Sequence, residues 1–295
     1  MVNRVLITGS SGFTGRYVSD EFRRAGWKVW GTGIQPDPDQ SGYLQIDLNR
    51  PSTLEPIADT VRPDVVIHLA ATAFVGHDDP TDFYYTNTLG TRNLLTALDK
   101  AAHRPQCVIL ASSANIYGNR VEGKLDESTM PDPVNDYAVS KLAMEYVARL
   151  WFDRLPIVIV RPFNYTGVGQ SQDFLIPKIV AHIRARKAVI ELGNLDVSRD
   201  FSDVRDIARY YYLLAKHAPI GETINLCSGQ PHTLRDVITQ ATDLSAHPIE
   251  VKVNPAFVRR DEVRKLCGDP SKLHQLVGAV STIPLTDTLR WMLDA

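Results

Sequence analysis

Near its N-terminus the chain runs Val5-Leu6-Ile7-Thr8-Gly9-Ser10-Ser11-Gly12-Phe13-Thr14-Gly15. A short β-branched strand passes directly into a loop with glycine at every third position, and a helical pattern follows. Glycines allow a tight turn and let another group approach the backbone closely, while the free N–H groups of a following helix attract anions. A strand, a glycine turn and a helix in that order form the start of a βαβ unit, and in that context the loop reads as a seat for a dinucleotide diphosphate.

The same alternation continues outward from this unit. Further apolar runs occur at Val29-Trp30, Leu44-Gln45-Ile46, Val65-Val66-Ile67-His68-Leu69, Val108-Ile109-Leu110 and Ile157-Val158-Ile159-Val160. Continuous rather than alternating apolar strands belong to a parallel sheet covered on both faces. Helical stripes lie between them, such as Val18/Phe22/Ala25 ending at Gly26 and Leu142/Tyr146/Val147/Leu150 after Pro133. The expected class is α/β: a Rossmann-type doubly wound parallel sheet with a smaller α/β substrate-binding domain. Residues 1–162 make the first domain and 163–198 with 229–295 the second. Part of 199–228 is expected to return to the first, since Thr223-Ile224-Asn225-Leu226 reads as one more strand of its sheet.

Composition narrows the classes of function. The 32 basic and 34 acidic residues leave a net charge of -2 and no basic run, so a nucleic-acid partner is not expected. Cys107, Cys227 and Cys267 are odd in number and widely spaced, as in a reducing compartment. The eight histidines do not group at metal-ligand spacing, and His68 inside an apolar strand reads as a core histidine, so no metal is assigned. With no apolar stretch of membrane-spanning length and no signal-peptide pattern, a cytoplasmic location without membrane association is expected.

A second set of residues carries chemistry. Ser112-Ser113-Ala114-Asn115-Ile116-Tyr117-Gly118 follows the fifth strand, and Tyr137-Ala138-Val139-Ser140-Lys141 follows on a helix. Residues four apart share a helix face, so the Lys141 ammonium can approach the Tyr137 phenol. A nearby cation is expected to lower the phenol's pKa and make it a usable proton donor or acceptor. A Tyr-x-x-x-Lys spacing alone is common; its place after a Ser-Ser strand end gives it weight.

The GxxGxxG spacing, followed in order by these motifs, resembles the extended short-chain dehydrogenase/reductase superfamily, the NAD-dependent epimerase/dehydratase group. The resemblance implies NAD(H) or NADP(H) as cofactor, held by Gly9, Ser11, Gly12, Phe13, Thr14 and Gly15. Asp47 and Leu48 would lie on the adenine side, Leu69, Ala70 and Ala71 along the ribose, and Asn87 and Phe163 beneath and beside the cofactor. Ser113, Tyr137 and Lys141 would be catalytic, Tyr137 giving a proton to a carbonyl oxygen that Ser113 also holds, with Lys141 binding the nicotinamide ribose. Ser113 is taken over Ser112 from its spacing to Tyr117-Gly118.

Arg161-Pro162-Phe163-Asn164-Tyr165-Thr166-Gly167, Gly193-Asn194-Leu195-Asp196, Arg199-Asp200-Phe201, Arg259-Arg260-Asp261-Glu262 and Gly268-Asp269-Pro270-Ser271-Lys272-Leu273 resemble the sugar-nucleotide branch, most closely its GDP-4-keto-6-deoxy-mannose reductases. By that likeness Asn164, Lys178, Arg199, Arg259 and Glu262 hold a GDP-sugar, and two copies pair through the helices bearing Asn87 and Tyr137. Arg260 stands where much of the family has Pro. The implied reaction is NAD(P)H-dependent reduction of the 4-keto group of a GDP-4-keto-6-deoxyhexose. A 4,6-dehydratase or C4 epimerase is the alternative on the same scaffold. A non-catalytic nucleotide-binding protein is the alternative of another class, and the presence of both Tyr137 and Lys141 argues against it.

Overall fold

The computed structural model describes residues 2–37, 41–73, 79–119, 123–257 and 264–295. The strands in chain order are β1 (Arg4–Thr8), β2 (Lys28–Gly33), β3 (Tyr43–Gln45), β4 (Val65–His68), β5 (Cys107–Ala111), β6 (Ile157–Pro162), β7 (Asn164–Thr166), β8 (Val189–Leu192), β9 (Ser198–Asp203), β10 (Thr223–Leu226), β11 (Pro231–Thr233), β12 (Glu250–Val253) and β13 (Lys265–Leu266). Seven of them form one sheet in the order β10-β6-β5-β4-β1-β2-β3, and every pairing in it is parallel. The expected return of Thr223–Leu226 is therefore present, with Ile224 opposite Val160.

Alternation along each strand explains the continuous apolar runs. Val5, Ile7, Val65, Ile67, Ile109, Val158 and Val160 point to one face, where Val18 and Phe22 of helix Phe13–Arg24 and Ile207 and Leu214 of helix Val204–His217 cover them. Leu6, Val66, Val108, Leu110, Ile157 and Ile159 point to the other, against helices Pro51–Val61, Thr91–Lys100 and Asp136–Arg149. Both faces are covered, so both registers of these strands are mainly apolar. A third core, with Ile176, Ile179, Leu192, Phe201, Leu234 and Leu289, lies outside this sheet, where β9 pairs with β7, β11 and β13 and β8 pairs with β12.

Two helical stripes differ from expectation. Ala25 follows helix Phe13–Arg24 as its C-terminal cap and is exposed. In Asp136–Arg149 the buried residues are Tyr137, Ala138, Ser140, Lys141, Met144, Glu145 and Ala148, whereas Tyr146 and Leu150 are exposed. The apolar period is real, but its Tyr146/Leu150 edge faces outward, together with Val139. The neighbouring segment Tyr84–Gly90, one π-helical stretch between helices Thr81–Phe83 and Thr91–Lys100, likewise exposes Tyr85 and Leu89.

Candidate active site

In the sheet, β1 has β2 on one side and β4 on the other, so the strand order reverses there. Ligands of doubly wound sheets sit beyond the carboxyl ends of strands at such a switch point. A cavity of about 720 Å³ opens at that place, lined from the ends of β1, β4, β5 and β6 by Gly9, Leu69, Ser113 and Phe163, a volume within the range of small-ligand sites.

The glycine loop fits a dinucleotide diphosphate. Gly9 takes a positive φ of 71°, and a Cβ there would come within 2.9 Å of the Ala70 nitrogen. A Cβ on Gly15 would overlap the Gly9 carbonyl. The loop can thus fold tightly only without side chains, and no side chain caps the helix it leads into, leaving that end to an anion. Gly9, Gly12, Phe13, Thr14, Gly15, Leu69 and Ala71 all line the cavity.

Ser11, Asp47, Leu48, Ala70 and Asn87 are not among the lining residues. Asp47 is an Asx turn, accepting from the Asn49 N–H at 2.9 Å, and Leu48 is buried against Gly90. The Ala70 N–H donates to the Thr8 hydroxyl. Asn87 stands one layer behind the wall: its Oδ1 accepts from Thr72 N at 3.0 Å, and its amide donates to Thr72 O and Ser140 Oγ. It thus ties the segment after β4 to the helix of Tyr137. His68 is a core residue, hydrogen-bonded to Thr8 and Thr91. Burial holds its pKa down to about 3, with Lys141 adding to the effect.

Ser113, Tyr137 and Lys141 come together in the cavity. Ser113 caps the short helix Ala114–Tyr117, accepting from Asn115 N at 3.2 Å, while the neighbouring Ser112 hydroxyl is buried without a partner among the described residues. Asn135 caps the next helix through the Ala138 N–H and sets Tyr137 in its first turn, where Phe83 packs edge-on against it at 5.9 Å. The phenol's pKa moves opposite to the sequence expectation. Burial pushes it up to about 12, outweighing the hydrogen bond from Ser113. Desolvation is a property of the whole cavity, which a Tyr-to-Lys spacing does not contain. Lys141 donates to Ala111 O at 2.8 Å, and burial lowers its pKa to about 8, Glu145 working in the opposite direction.

The folded chain binds the Lys141 proton less tightly than the unfolded chain, whose lysine titrates near its ordinary value. Below about pH 8 the fold carries the cost of a buried ammonium, and that cost is relieved as pH rises from 8 toward 10.5. Turnover that needs the ammonium should fall with rising pH through about 8 while this residue's contribution to stability rises. A pH-rate profile paired with urea denaturation at pH 7.5 and 9.5 checks it; a flat alkaline limb up to pH 10 would contradict it.

Of the candidate substrate residues, Asn164 and Arg199 line the cavity. Lys178 does not: its ammonium donates to Glu191 O at 3.0 Å and lies 4.4 Å from the centre of the Phe257 ring. Arg259 and Glu262 lie outside the described residues. The cavity also takes in Asn135, Tyr165, Gln170, Ser171, Asp173 and Tyr211, none singled out in the sequence. Asn135 carried a readable signal, a helix cap two residues before Tyr137; Tyr211 did not, because it sits on the core face of its helix. Among the described residues there is no cluster able to hold a metal and no helix long and apolar enough to cross a membrane.

The sequence model of the NAD dependent epimerase/dehydratase family matches residues 5–227. A GDP-6-deoxy-D-talose 4-dehydrogenase from Aggregatibacter actinomycetemcomitans is 36% identical over 93% of this chain and 91% of its own. A GDP-6-deoxy-D-mannose reductase from Pseudomonas aeruginosa is 34% identical over 100% of this chain and 97% of its own. Among solved structures, one from Burkholderia cenocepacia is 49% identical with a TM-score of 0.93, covering 99% of this chain and 97% of that one. The RMD of Pseudomonas aeruginosa, complexed with NADPH, is 32% identical with a TM-score of 0.87 over 99% of this chain and 98% of that one.

Proposed function

Because the chain belongs to the NAD-dependent epimerase/dehydratase family and is an NAD(P)-dependent enzyme of nucleotide-sugar modification, we propose that it reduces the 4-keto group of a GDP-4-keto-6-deoxyhexose. The two relatives that act on GDP-6-deoxyhexoses support the substrate class. The observation that carries reduction over dehydration is the side chain beside Ser113. Dehydration at C5 and C6 needs a group that takes one proton and helps a hydroxyl leave. Asn115, two residues before the Tyr of Tyr117-Gly118 where dehydratases resembling this chain carry an acid, lines the cavity, and an amide cannot exchange a proton near neutrality. The one carboxylate among the described lining residues, Asp173, sits in the loop beyond Gln170 and takes the Ser171 hydroxyl at 2.7 Å.

The phenol of Tyr137, neutral at physiological pH, is in the protonation state a reduction requires. It gives its proton to the C4 oxygen while Ser113 holds the same atom, and the Lys141 ammonium stands one helical turn away to offset the charge that develops. The glycine loop and Lys141 would hold a nicotinamide dinucleotide, which would supply the hydride. Asn164 and Arg199, which line the cavity, orient the diphosphate-sugar.

The test is two incubations followed by mass: GDP-mannose with NADP⁺, and the 4-keto-6-deoxy intermediate with NADPH or NADH. Reduction with stoichiometric cofactor oxidation is expected only in the second. At the end of β2, Gly33-Ile34-Gln35 offers neither an acid for a ribose 2′-hydroxyl nor an arginine for a 2′-phosphate, so the two cofactors should differ by less than about 100-fold, some 2.7 kcal/mol. Water loss in the first tube without reduction in the second would overturn the assignment.

The partner of the outward stripe is a second copy of the chain. Tyr85, Leu89, Val139, Tyr146 and Leu150 are 37% to 68% exposed, and large apolar side chains grouped on adjoining helices mark an interface. Sedimentation should give twice the 32.9 kDa of one chain, and Leu150→Asp should shift the mass toward the monomer; a monomer in the unaltered protein would refute the pairing.

A further inference from the structure

The segment that begins the second domain is seated on the first turns of the helix that follows the glycine loop. The Thr14 and Tyr165 hydroxyls lie 2.7 Å apart, and the Phe13 ring stacks parallel to that of Tyr165, 6.1 Å away at 10°. Tyr17 donates to Val168 O at 2.7 Å. Tyr165 is in turn tied to its own loop, its carbonyl accepting from the Gln170 amide and Gln170 Oε1 from Thr166. Thr14, Asn164, Tyr165 and Gln170 all line the cavity, so one hydrogen bond joins its cofactor side to its substrate side.

We propose that Tyr165 is a positioning residue whose bond to Thr14 makes affinity for the substrate's nucleoside diphosphate depend on whether a dinucleotide diphosphate occupies the glycine loop; this rests on the nucleotide-sugar reading above. The physical basis is proton counting. Each hydroxyl has one proton and can also accept, so with both half-sites free the Thr14–Tyr165 bond can run in either direction. A diphosphate at a helix N-terminus only accepts. Once Thr14 spends its proton there, it can only accept from Tyr165, and the phenol is committed to that bond. Tyr165 then has a single orientation, and Asn164 and Gln170, joined to it through the chain and the amide bond, are held with it. Ordering paid for by the first ligand no longer burdens the second, and such coupling is reciprocal.

The test is calorimetric titration of GDP, and separately UDP, into the full chain with and without saturating NADPH, a pair that cannot turn over. The unaltered protein should bind the nucleotide at least about 5-fold tighter with NADPH present, the lower end of ordinary coupling. Tyr165→Phe, which keeps the ring and its stacking, should reduce that ratio more than twofold, toward one; Thr14→Val removes the same bond from the other side and serves if the first variant does not fold. Tyr17→Phe, which cuts a bond between the same two segments away from the cavity, should leave the ratio in place. A ratio near one in the unaltered protein, a ratio retained within twofold in Tyr165→Phe, or an equal loss in Tyr17→Phe overturns the coupling alone. Binding of neither GDP nor UDP by a protein that binds NADPH overturns the nucleotide-sugar reading and the coupling with it.

Discussion

Tyr137→Phe is expected to lower turnover by about 100-fold or more while leaving NADPH affinity within a few-fold, the loss typical of a positioned general acid. The ring is buried and packs against Phe83, and phenylalanine keeps both properties. Only the hydroxyl goes, and with it the proton that the proposed reduction would deliver to the C4 oxygen. Its high pKa makes the phenol a donor at every physiological pH, so the deficit should not be relieved by acidifying the assay. Single-turnover rates and fluorescence titration of NADPH on the same preparation separate chemistry from binding. Near-normal turnover would remove Tyr137 from the role.

The second large effect falls on stability. Arg161 is 3% exposed and Glu145 1%; the guanidinium grips both carboxylate oxygens at 2.9 and 2.8 Å. Its remaining nitrogen donates to the Tyr117 hydroxyl at 2.9 Å, which donates to Asn225 Oδ1 at 2.8 Å. Asn225 in turn holds Leu125 O and, through its backbone, Glu127. Arg161→Met matches the length of the side chain but strands the Glu145 charge, and breaking a buried pair from one side costs about 3–5 kcal/mol. Adding Glu145→Leu should restore much of the loss, because no unpaired charge is left. Urea midpoints of the three variants decide it: a single-variant loss below about 1 kcal/mol, or no recovery in the double, would show that the pair is not compensated as described.

That network was invisible in the sequence, where its hydrogen-bonded partners are 16 to 108 residues apart. What was legible was local. The passage from β1 through the glycines to the helix is one stretch of chain, and its physics acts between neighbours. The buried strands announced themselves because both faces of the sheet had to be apolar. The stripe Leu142/Tyr146/Val147/Leu150 was legible as a period but not as a direction: periodicity gives the spacing of an apolar edge and says nothing of what covers it. The Tyr137 phenol shows the same limit in electrostatic form, since its surroundings are assembled from four strand ends and a helix of the distant residues 204–217. Tyr165 was quoted as part of a motif, yet its contact with Thr14 spans 151 positions, and nothing in the spacing of either residue points to the other.

Helix Asp136–Arg149 carries Tyr137 and Lys141 on its inner face and Val139 and Tyr146 on its outer one. Under the proposed reaction and the proposed pairing of two copies, a single rod serves as both workbench and hinge plate. Selection on either face would constrain the pitch and tilt available to the other, so drift in how the proposed pair meets would register as a change in the alignment of Tyr137. Grafting Tyr137 and Lys141 into a scaffold without that outer face would then transplant the tools without the brace that keeps them square.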